Sequence, residues 1–289
     1  MIPAKFDYER PSSLSEAISL LSSGGPDARP IAGGHSLLPL MRLRLSRPTL
    51  LVDIGGLADL RYVRESGDHL AIGALATHDD LACSAELLDR CALIACVAEQ
   101  IGDPQVRHRG TIGGSVAHAD PASDLPAALM ALDAEIIAHG ADGPRTVLAT
   151  DFFQGPFMSA LEPNEILTEI RVPARDGWGS SYQKFQRRAQ DWAIVGVAAL
   201  IEFGDGITGA AIGLTNMGGT PLRATEVEQA LLASADEAEI AAAAAKIAEM
   251  DTPPADENAS SGYRLHLAEV LIKRAVSEAR VRASQKDSR

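Results

Sequence analysis

Apolar residues recur along this chain at two spacings, and the switch from one to the other marks out its elements. Leu14, Ala17, Ile18 and Leu21 return at helical intervals. Ser13-Leu14-Ser15-Glu16 ahead of them reads as a capping box, in which hydroxyl and carboxylate each satisfy a backbone donor. Gly24-Gly25 ends that helix. Residues 28–32 and 50–54 are short apolar runs that predict strands; the first leads into Gly33-Gly34-His35-Ser36 and the second into Gly55-Gly56. Residues 70–74 predict another strand. Leu87, Leu88, Cys91, Ile94, Ala95, Ala98 and Ile101 fall on one stripe behind a Ser84 cap, which predicts a single helix ending at Gly102. Residues 124–132 read as a helix, 134–138 as a strand, and 165–172 alternate as a strand does.

The last third changes character. Residues 181–185, 195–203 and 210–217 predict strands of an antiparallel sheet. Helices follow from about Thr225, from Glu237 through an alanine run to Met250, and over about 261–284, with a proline-bearing loop at 251–258. Strands gathered with helices, without regular βαβ alternation, predict an α+β fold. Gly204-Asp205-Gly206-Ile207-Thr208-Gly209 matches the spacing of a dinucleotide fingerprint. Strand-like residues stand on both sides of it, however, and Asp-Gly favours a hairpin, so it reads as a turn.

Composition narrows the picture. The chain has 289 residues, 46% of them hydrophobic, enough for one large domain or a few small ones with a real core. Twenty-six basic residues against 39 acidic ones give a net charge of −13, which argues against nucleic acid as a partner. No apolar run reaches the roughly 18–20 residues of a membrane span, and the first ten residues lack the apolar stretch of a signal peptide, so the expected location is the cytoplasm. Cys83, Cys91 and Cys96 are odd in number and lack CxxC spacing. They form no disulfide framework or zinc site, and an iron–sulfur cluster with four thiolates cannot sit on this chain alone. Cys91 and Cys96 read as small core hydrophobes. The basic helix at the C-terminus reads as a solvated face or as a surface for an acidic partner.

Candidate chemistry centres on two glycine pairs, Gly33-Gly34 and Gly113-Gly114, each followed closely by serine. A diphosphate needs close backbone approach and several N–H donors, which paired glycines permit; a pair of tight turns has the same composition. His108, His118, Asp120 and Asp124 have no distinctive ligand spacing, and Asp124 reads as a helix cap. Asp79-Asp80 behind Thr77 suits a helix start. There is no G-x-S-x-G elbow and no Cys–His pair. Trp192, beside an acid and a basic cluster that includes Lys184, reads as a core anchor rather than a stacking platform.

Taken together, these segments resemble the FAD-binding medium subunit of the molybdenum hydroxylases, the xanthine dehydrogenase superfamily. The best match is to the carbon monoxide dehydrogenase medium-subunit type. The stretches that carry the resemblance are Met1-Ile2-Pro3 with Phe6-Asp7-Tyr8, Ala32-Gly33-Gly34-His35-Ser36-Leu37-Leu38-Pro39, and Asp103-Pro104-Gln105-Val106-Arg107. Arg109-Gly110-Thr111-Ile112-Gly113-Gly114-Ser115, Ala119-Asp120-Pro121-Ala122-Ser123-Asp124 and Gly213-Leu214-Thr215-Asn216 complete them. The resemblance implies an α+β fold. Two FAD-binding subdomains of the vanillyl-alcohol-oxidase/PCMH-like type would occupy 1–56 and 57–174, and a C-terminal domain with an antiparallel sheet and helices 175–289. It implies non-covalent FAD, its diphosphate and adjoining groups held by Ala32, Gly33, Gly34, His35 and Ser36 and by Thr111, Ile112, Gly113, Gly114 and Ser115. Ile101, Asp124, Leu167 and Lys184 match further FAD contacts, with Leu167 near the ring, and Trp192 matches an aromatic against the isoalloxazine. Ser115 stands where many relatives carry Asn.

The same resemblance implies no catalytic residue and no metal ligand in this chain. The molybdenum cofactor would lie on a large partner and two [2Fe–2S] clusters on a small one, in a dimer of heterotrimers. The chain would take electrons from the clusters and hand them to an external acceptor, in the cytoplasm or at the inner face of the membrane through its partners. Rival readings are a stand-alone flavin oxidoreductase of the same fold, an assembly protein without cofactor, and the FAD subunit of an N-heterocycle, purine or aldehyde dehydrogenase.

Overall fold

A computed structural model describes residues 2–286 except Ala233, Ala235 and Asp251, with Lys286 described in its backbone only. Met1 of the opening motif, Asp251 of the predicted loop and residues 287–289 of the basic C-terminus lie outside the described residues.

The first unit contains β1 (Asp7–Glu9), α1 (Leu14–Ser23), β2 (Ala28–Ile31), α2 (Leu37–Leu43) and β3 (Leu50–Asp53), with the strands parallel in the order β1-β3-β2. The Ser13 hydroxyl caps α1 by accepting from the Glu16 amide at 3.2 Å. The Glu16 carboxylate does not close the box on Ser13; it accepts from the Ser12 amide and hydroxyl, both at 2.7 Å. Ala17, Ile18 and Leu21 are buried as the periodicity requires. α2 escaped the sequence reading because Met41 is its one buried residue, which leaves no apolar period to detect.

The second unit holds β4 (Val63–Ser66), β5 (His69–Gly73), α3 (His78–Cys83), α4 (Ala85–Arg90), α5 (Ala92–Glu99), α6 (Pro104–Arg107), α7 (Ile112–His118) and α8 (Asp124–Ala131). It continues through β6 (Glu135–Gly140), β7 (Gly143–Leu148), α9 (Ala149–Phe152), the small hairpin β8 (Phe153–Gly155) and β9 (Met158–Ser159), and β10 (Ile166–Pro173). Its five-stranded antiparallel sheet runs β4-β5-β10-β6-β7. Two expectations change here. The single helix over 84–101 is broken at Cys91, whose φ of −155° and ψ of 58° leave the helical region. The break turns Leu93 and Val97, which a continuous stripe leaves out, into the core. β10 does not alternate: Ile166 to Ile170 are all buried, because it is the central strand with both faces covered.

The third unit is a meander of β11 (Gly179–Phe185), β12 (Val195–Phe203), β13 (Ile207–Thr215) and β14 (Leu222–Arg223), followed by α10 (Thr225–Leu231), α11 (Glu237–Ala244) and α12 (Ser261–Lys286). Residues 204–206 form the turn between β12 and β13, as read from Asp-Gly. The alanine run does not stay α-helical to Met250; residues 245–249 tighten into a 3₁₀ turn. Both faces of this sheet are covered. Tyr182, Ala198, Leu200 and Ala211 join the core of the second unit, while Val197, Ala199, Ile201 and Ile212 pack with α10, α11 and α12. A Cβ on Gly213 would lie 1.9 Å from the Ala127 carbonyl of α8, and one on Gly179 would lie 1.8 Å from the Ala279 carbonyl of α12. Helix backbones therefore press directly on the sheet from either side, and packing continues across residue 174. No helix among the described residues is long and apolar enough to cross a membrane.

Candidate functional site

A cleft of about 460 Å³ opens between the first two units. Arg10, Ala32, Gly33, Asp53 and residues 55–58 form one wall; Arg61, Leu75, Thr77, His108, Arg109 and Thr111 form the other. The loop from Ala32 to Ser36 leaves the end of β2 and enters α2. Gly34 has φ of +75°, a conformation that side chains disfavour. A Cβ on Gly33 would lie 2.1 Å from the Arg109 carbonyl, so this loop touches the stretch that leads into Thr111. The fold thus brings together two glycine loops separated by nearly eighty positions.

The two loops are alike in composition and different in chemistry. Among the described residues, the amides of Gly33, Gly34, His35 and Ser36 donate to no protein acceptor. The amides after Thr111 are committed. Ile112 donates to the Ala76 carbonyl at 3.0 Å, Gly113 to the Ala74 carbonyl at 2.9 Å, and Ser115 to the Thr111 carbonyl at 3.0 Å. Gly114 donates to the Thr111 hydroxyl at 3.1 Å. Thr111 is the N-cap of α7, and Gly113 is needed for packing, since a Cβ there would lie 2.6 Å from that of Ala74. The second loop therefore offers the cleft a side chain and a rigid floor.

Two cations complete the cleft, and the sequence reading had placed neither in it. Arg10 and Arg109 have no ion pair or side-chain hydrogen bond among the described residues. The unspent amides of the loop that enters the cleft at Gly33, with two unpaired guanidinium groups on facing walls, fit a diphosphate; the Asp53 carboxylate on the first wall is occupied by the Tyr8 hydroxyl and the Gly55 amide. Arg109 opens one of the stretches that carry the resemblance; Arg10, in the link between β1 and α1, gave no signal. Beneath the second wall, His78 packs its ring where a Gly110 Cβ would lie, at 2.8 Å. Its Nδ1 is buried without a partner. Burial, then the nearby His35 and Arg107, push its pKa down to about 4.

A second group of expected residues converges deeper. Lys184 Nζ lies 2.8 Å from the Asp124 carboxylate, and the Tyr182 hydroxyl donates to the same carboxylate at 2.5 Å. The side chain of Lys184 is only 2% exposed. Gln100, next to Ile101, donates to the Tyr182 carbonyl at 2.9 Å and ties α5 to this cluster. Burial raises the Asp124 pKa against the opposing pull of Lys184 and Tyr182, and burial with the adjacent Asp124 lifts the Tyr182 hydroxyl well above its usual value. The cap expected of Asp124 is not made: Ser123 holds the N-cap position of α8, and Asp124 points its charge at Lys184 instead. Leu167 is buried on β10.

Trp192 is 56% exposed on the connection between β11 and β12, which overturns its reading as a core anchor. The end of that connection is held firmly. Asn216 Nδ2 donates to the Ala193 carbonyl at 2.7 Å, and Arg264 donates to the carbonyls of Ile194 and Asn216 and pairs with Asp256 at 2.6 Å. Arg264 lies in the basic terminal helix yet is fully buried, so that helix is not solvated throughout. No group of His, Cys, Asp and Glu among the described residues could hold a metal ion. His108 Nδ1 donates to the Pro104 carbonyl at 2.8 Å, and His118 packs against Phe157.

The model of the FAD binding domain in molybdopterin dehydrogenase matches residues 4–175, and that of the CO dehydrogenase flavoprotein C-terminal domain matches residues 180–279. The chain belongs to the FAD-binding medium subunits of the molybdenum hydroxylases. The carbon monoxide dehydrogenase medium chain of Afipia carboxidovorans is 41% identical to this medium subunit over 286 residues, 98% of this chain and 99% of that one. The glyceraldehyde dehydrogenase medium chain of Sulfolobus acidocaldarius is 39% identical over 280 residues, 96% and 99% of the two chains. A solved carbon monoxide dehydrogenase from Hydrogenophaga pseudoflava, lacking the Mo-pyranopterin moiety of its molybdenum cofactor, superimposes with a TM-score of 0.94 at 42% identity, covering 98% and 99%. FAD is the cofactor of this medium subunit, an oxidoreductase component, and the donors and cations of the cleft suit it.

Proposed function

We propose that this medium subunit holds one FAD in the cleft between its first two units and relays electrons through it. The donor would be the [2Fe–2S] clusters of a small partner. The acceptor would be an external carrier, and the substrate would be oxidised at a molybdenum cofactor on a large partner. The unspent amides from Gly33 to Ser36, faced by Arg10 and Arg109, carry this reading. Bound FAD supplies the redox chemistry; the chain supplies placement and electrostatics.

In this assignment Ala32, Gly33, Gly34, His35 and Ser36 donate to the diphosphate. Thr111, Ile112, Gly113, Gly114 and Ser115 form the opposing floor, with Thr111 the side chain that faces the cleft. Ile101, Asp124, Leu167 and Lys184 back the ring end, and Trp192 stacks on the ring from its exposed connection. Residues 1–56 and 57–174 are the two halves of the FAD site, and 175–289 brings Lys184 and Trp192 to it. The assembly is a cytoplasmic dimer of heterotrimers of carbon monoxide dehydrogenase type. Similarity to a glyceraldehyde dehydrogenase medium chain favours an aldehyde dehydrogenase as the second reading. The choice between them rests on the large partner.

The test is flavin absorption after FAD is added to the purified complex and free cofactor is removed. The expected result is one FAD per medium subunit. Gly33→Ala, which drives a methyl group into the Arg109 carbonyl, should lose it. A colourless wild-type complex, or a Gly33→Ala complex with full flavin content, would sink the assignment.

A further inference from the structure

The Gly213-Leu214-Thr215-Asn216 stretch supplies none of the proposed FAD contacts, yet its last residue binds three segments at once. Asn216 follows β13 with φ of 60°, a left-handed conformation that asparagine adopts more readily than most side chains. Its amide donates to the Pro121 carbonyl at 2.9 Å, in the loop that runs into Asp124. Its Nδ2 donates at 2.7 Å to the carbonyl of Ala193, the residue after Trp192. Its own carbonyl accepts from Arg264 of α12 at 3.2 Å.

Arg264 locks the same place. Its side chain is 1% exposed, and it donates to the Ile194 carbonyl as well as to that of Asn216, with Asp256 as counter-ion at 2.6 Å. A guanidinium is costly to bury, and an apolar side chain could fill the space; what the arginine adds is a fixed spacing between two backbone carbonyls. The base of the connection is closed as well. The Ile194 amide donates to the Phe185 carbonyl at 2.8 Å, and Phe185 packs edge-on against Tyr263, beside Arg264. The indole of Trp192 has no such anchor. Among the described residues it makes no hydrogen bond or ring contact, so its position is set by the backbone that carries it.

We propose that Asn216 is a positioning residue for the flavin: through Ala193 it fixes Trp192 relative to the segment that bears Asp124, with Arg264 as its lock. This inference rests on the reading that Trp192 stacks on the ring and that Asp124 and Lys184 back it. An indole on a loose connection would have to be ordered when the cofactor arrives, which weakens binding; one already held avoids that cost. The residue type follows from the two demands on the position. Glycine would accept the left-handed backbone but lacks the donor, and most other side chains would be strained there.

The test titrates FAD into flavin-stripped complexes of the wild type, Trp192→Ala, Asn216→Gly and the double variant. It reads the dissociation constant and the quenching of flavin emission by a stacked indole. Asn216→Gly keeps the backbone conformation while removing Nδ2; it should weaken FAD by about two- to tenfold, the range of an aromatic contact, and raise the emission of the bound flavin. The double variant should bind FAD no more weakly than Trp192→Ala alone. Asp256→Asn leaves an oxygen for the Asn258 and Ala259 amides but takes the charge from Arg264, so it should move both readouts in the same direction. It decides the matter if Asn216→Gly does not fold. If Trp192→Ala changes neither readout, the stacking reading falls and this inference with it. If Trp192→Ala changes both while Asn216→Gly matches the wild type, the positioning role alone is refuted. Equal weakening by Asn216→Gly with and without the indole also refutes it, since the loss then does not pass through Trp192.

Discussion

A lysine with 2% of its side chain exposed is tolerable because the Asp124 carboxylate lies 2.8 Å away and the Tyr182 hydroxyl shares the load at 2.5 Å. Removing one partner leaves an uncompensated buried charge. Lys184→Met and Asp124→Asn should each cost about 3–5 kcal/mol in urea unfolding, and the double variant Asp124→Leu/Lys184→Met should recover much of that loss. Additive losses in the double variant would show that the two side chains act separately. Because Lys184 brings its counter-ion with it, it adds little net field to a neighbouring flavin in the intact pair. His78 gives the residue scale a pH signature. The unfolded histidine takes its proton near pH 6.5, the folded one only near 4. Between those values the unfolded chain binds the extra proton, so stability falls as the pH drops through this window, by about 3 kcal/mol in all. His78→Gln should flatten that slope when urea midpoints at pH 7 and pH 4.5 are compared with the wild type; equal slopes would remove His78 from the account.

At the scale of elements, glycine marks where backbones meet. Gly213→Ala against α8 and Gly179→Ala against α12 should each destabilise by about 1–3 kcal/mol or more. Gly204→Ala in the β12–β13 turn, with nothing within 4 Å of its Cβ, should fall within about 0.5 kcal/mol of the wild type in the same melts. These contrasts also show which parts of the fold were legible beforehand. α1 buries one face and announced itself through its period, while β5, α8 and the β11–β13 meander, buried more fully, showed as apolar runs; all lie close to where the pattern put them. Others departed from the pattern. α2 buries too little to show a period, and Cys91 bends a helix so that residues off its stripe reach the core; β10 stands where a strand was expected, but with both faces covered it does not alternate. The cofactor site divides in the same way. Both glycine loops were visible as sequence, but whether an amide is spent depends on distant carbonyls such as those of Ala74 and Ala76, which no local motif encodes. The exposure of Trp192 and the burial of Arg264 were equally non-local, since each depends on how the ends of the third unit meet.

For the whole molecule, each unit has its own main sheet; the second and third share one buried core, and the first packs with Leu60, Leu75 and Ile166 of the second beside the cleft. The cleft in the seam between the first two units is lined by the unspent Gly33 amide, the unpaired Arg10 and Arg109, and the Asp53 carboxylate. A bound dinucleotide would fill it and stabilise the folded chain by roughly 2.7 kcal/mol at a hundredfold excess over its dissociation constant. The melting temperature should accordingly climb with the logarithm of added FAD and stay flat with Gly33→Ala; a flat wild-type response would show that the cleft does not couple the units. The touching of Gly33 and Arg109 across that seam has a further consequence. A chain made when FAD is scarce leaves the unspent amides and the two unpaired guanidinium groups of that cleft without their anion, and so lacks the stability that bound cofactor would add. Limited proteolysis should therefore cut the empty chain faster than the loaded one; equal rates with and without added FAD would show that the cofactor does not protect it.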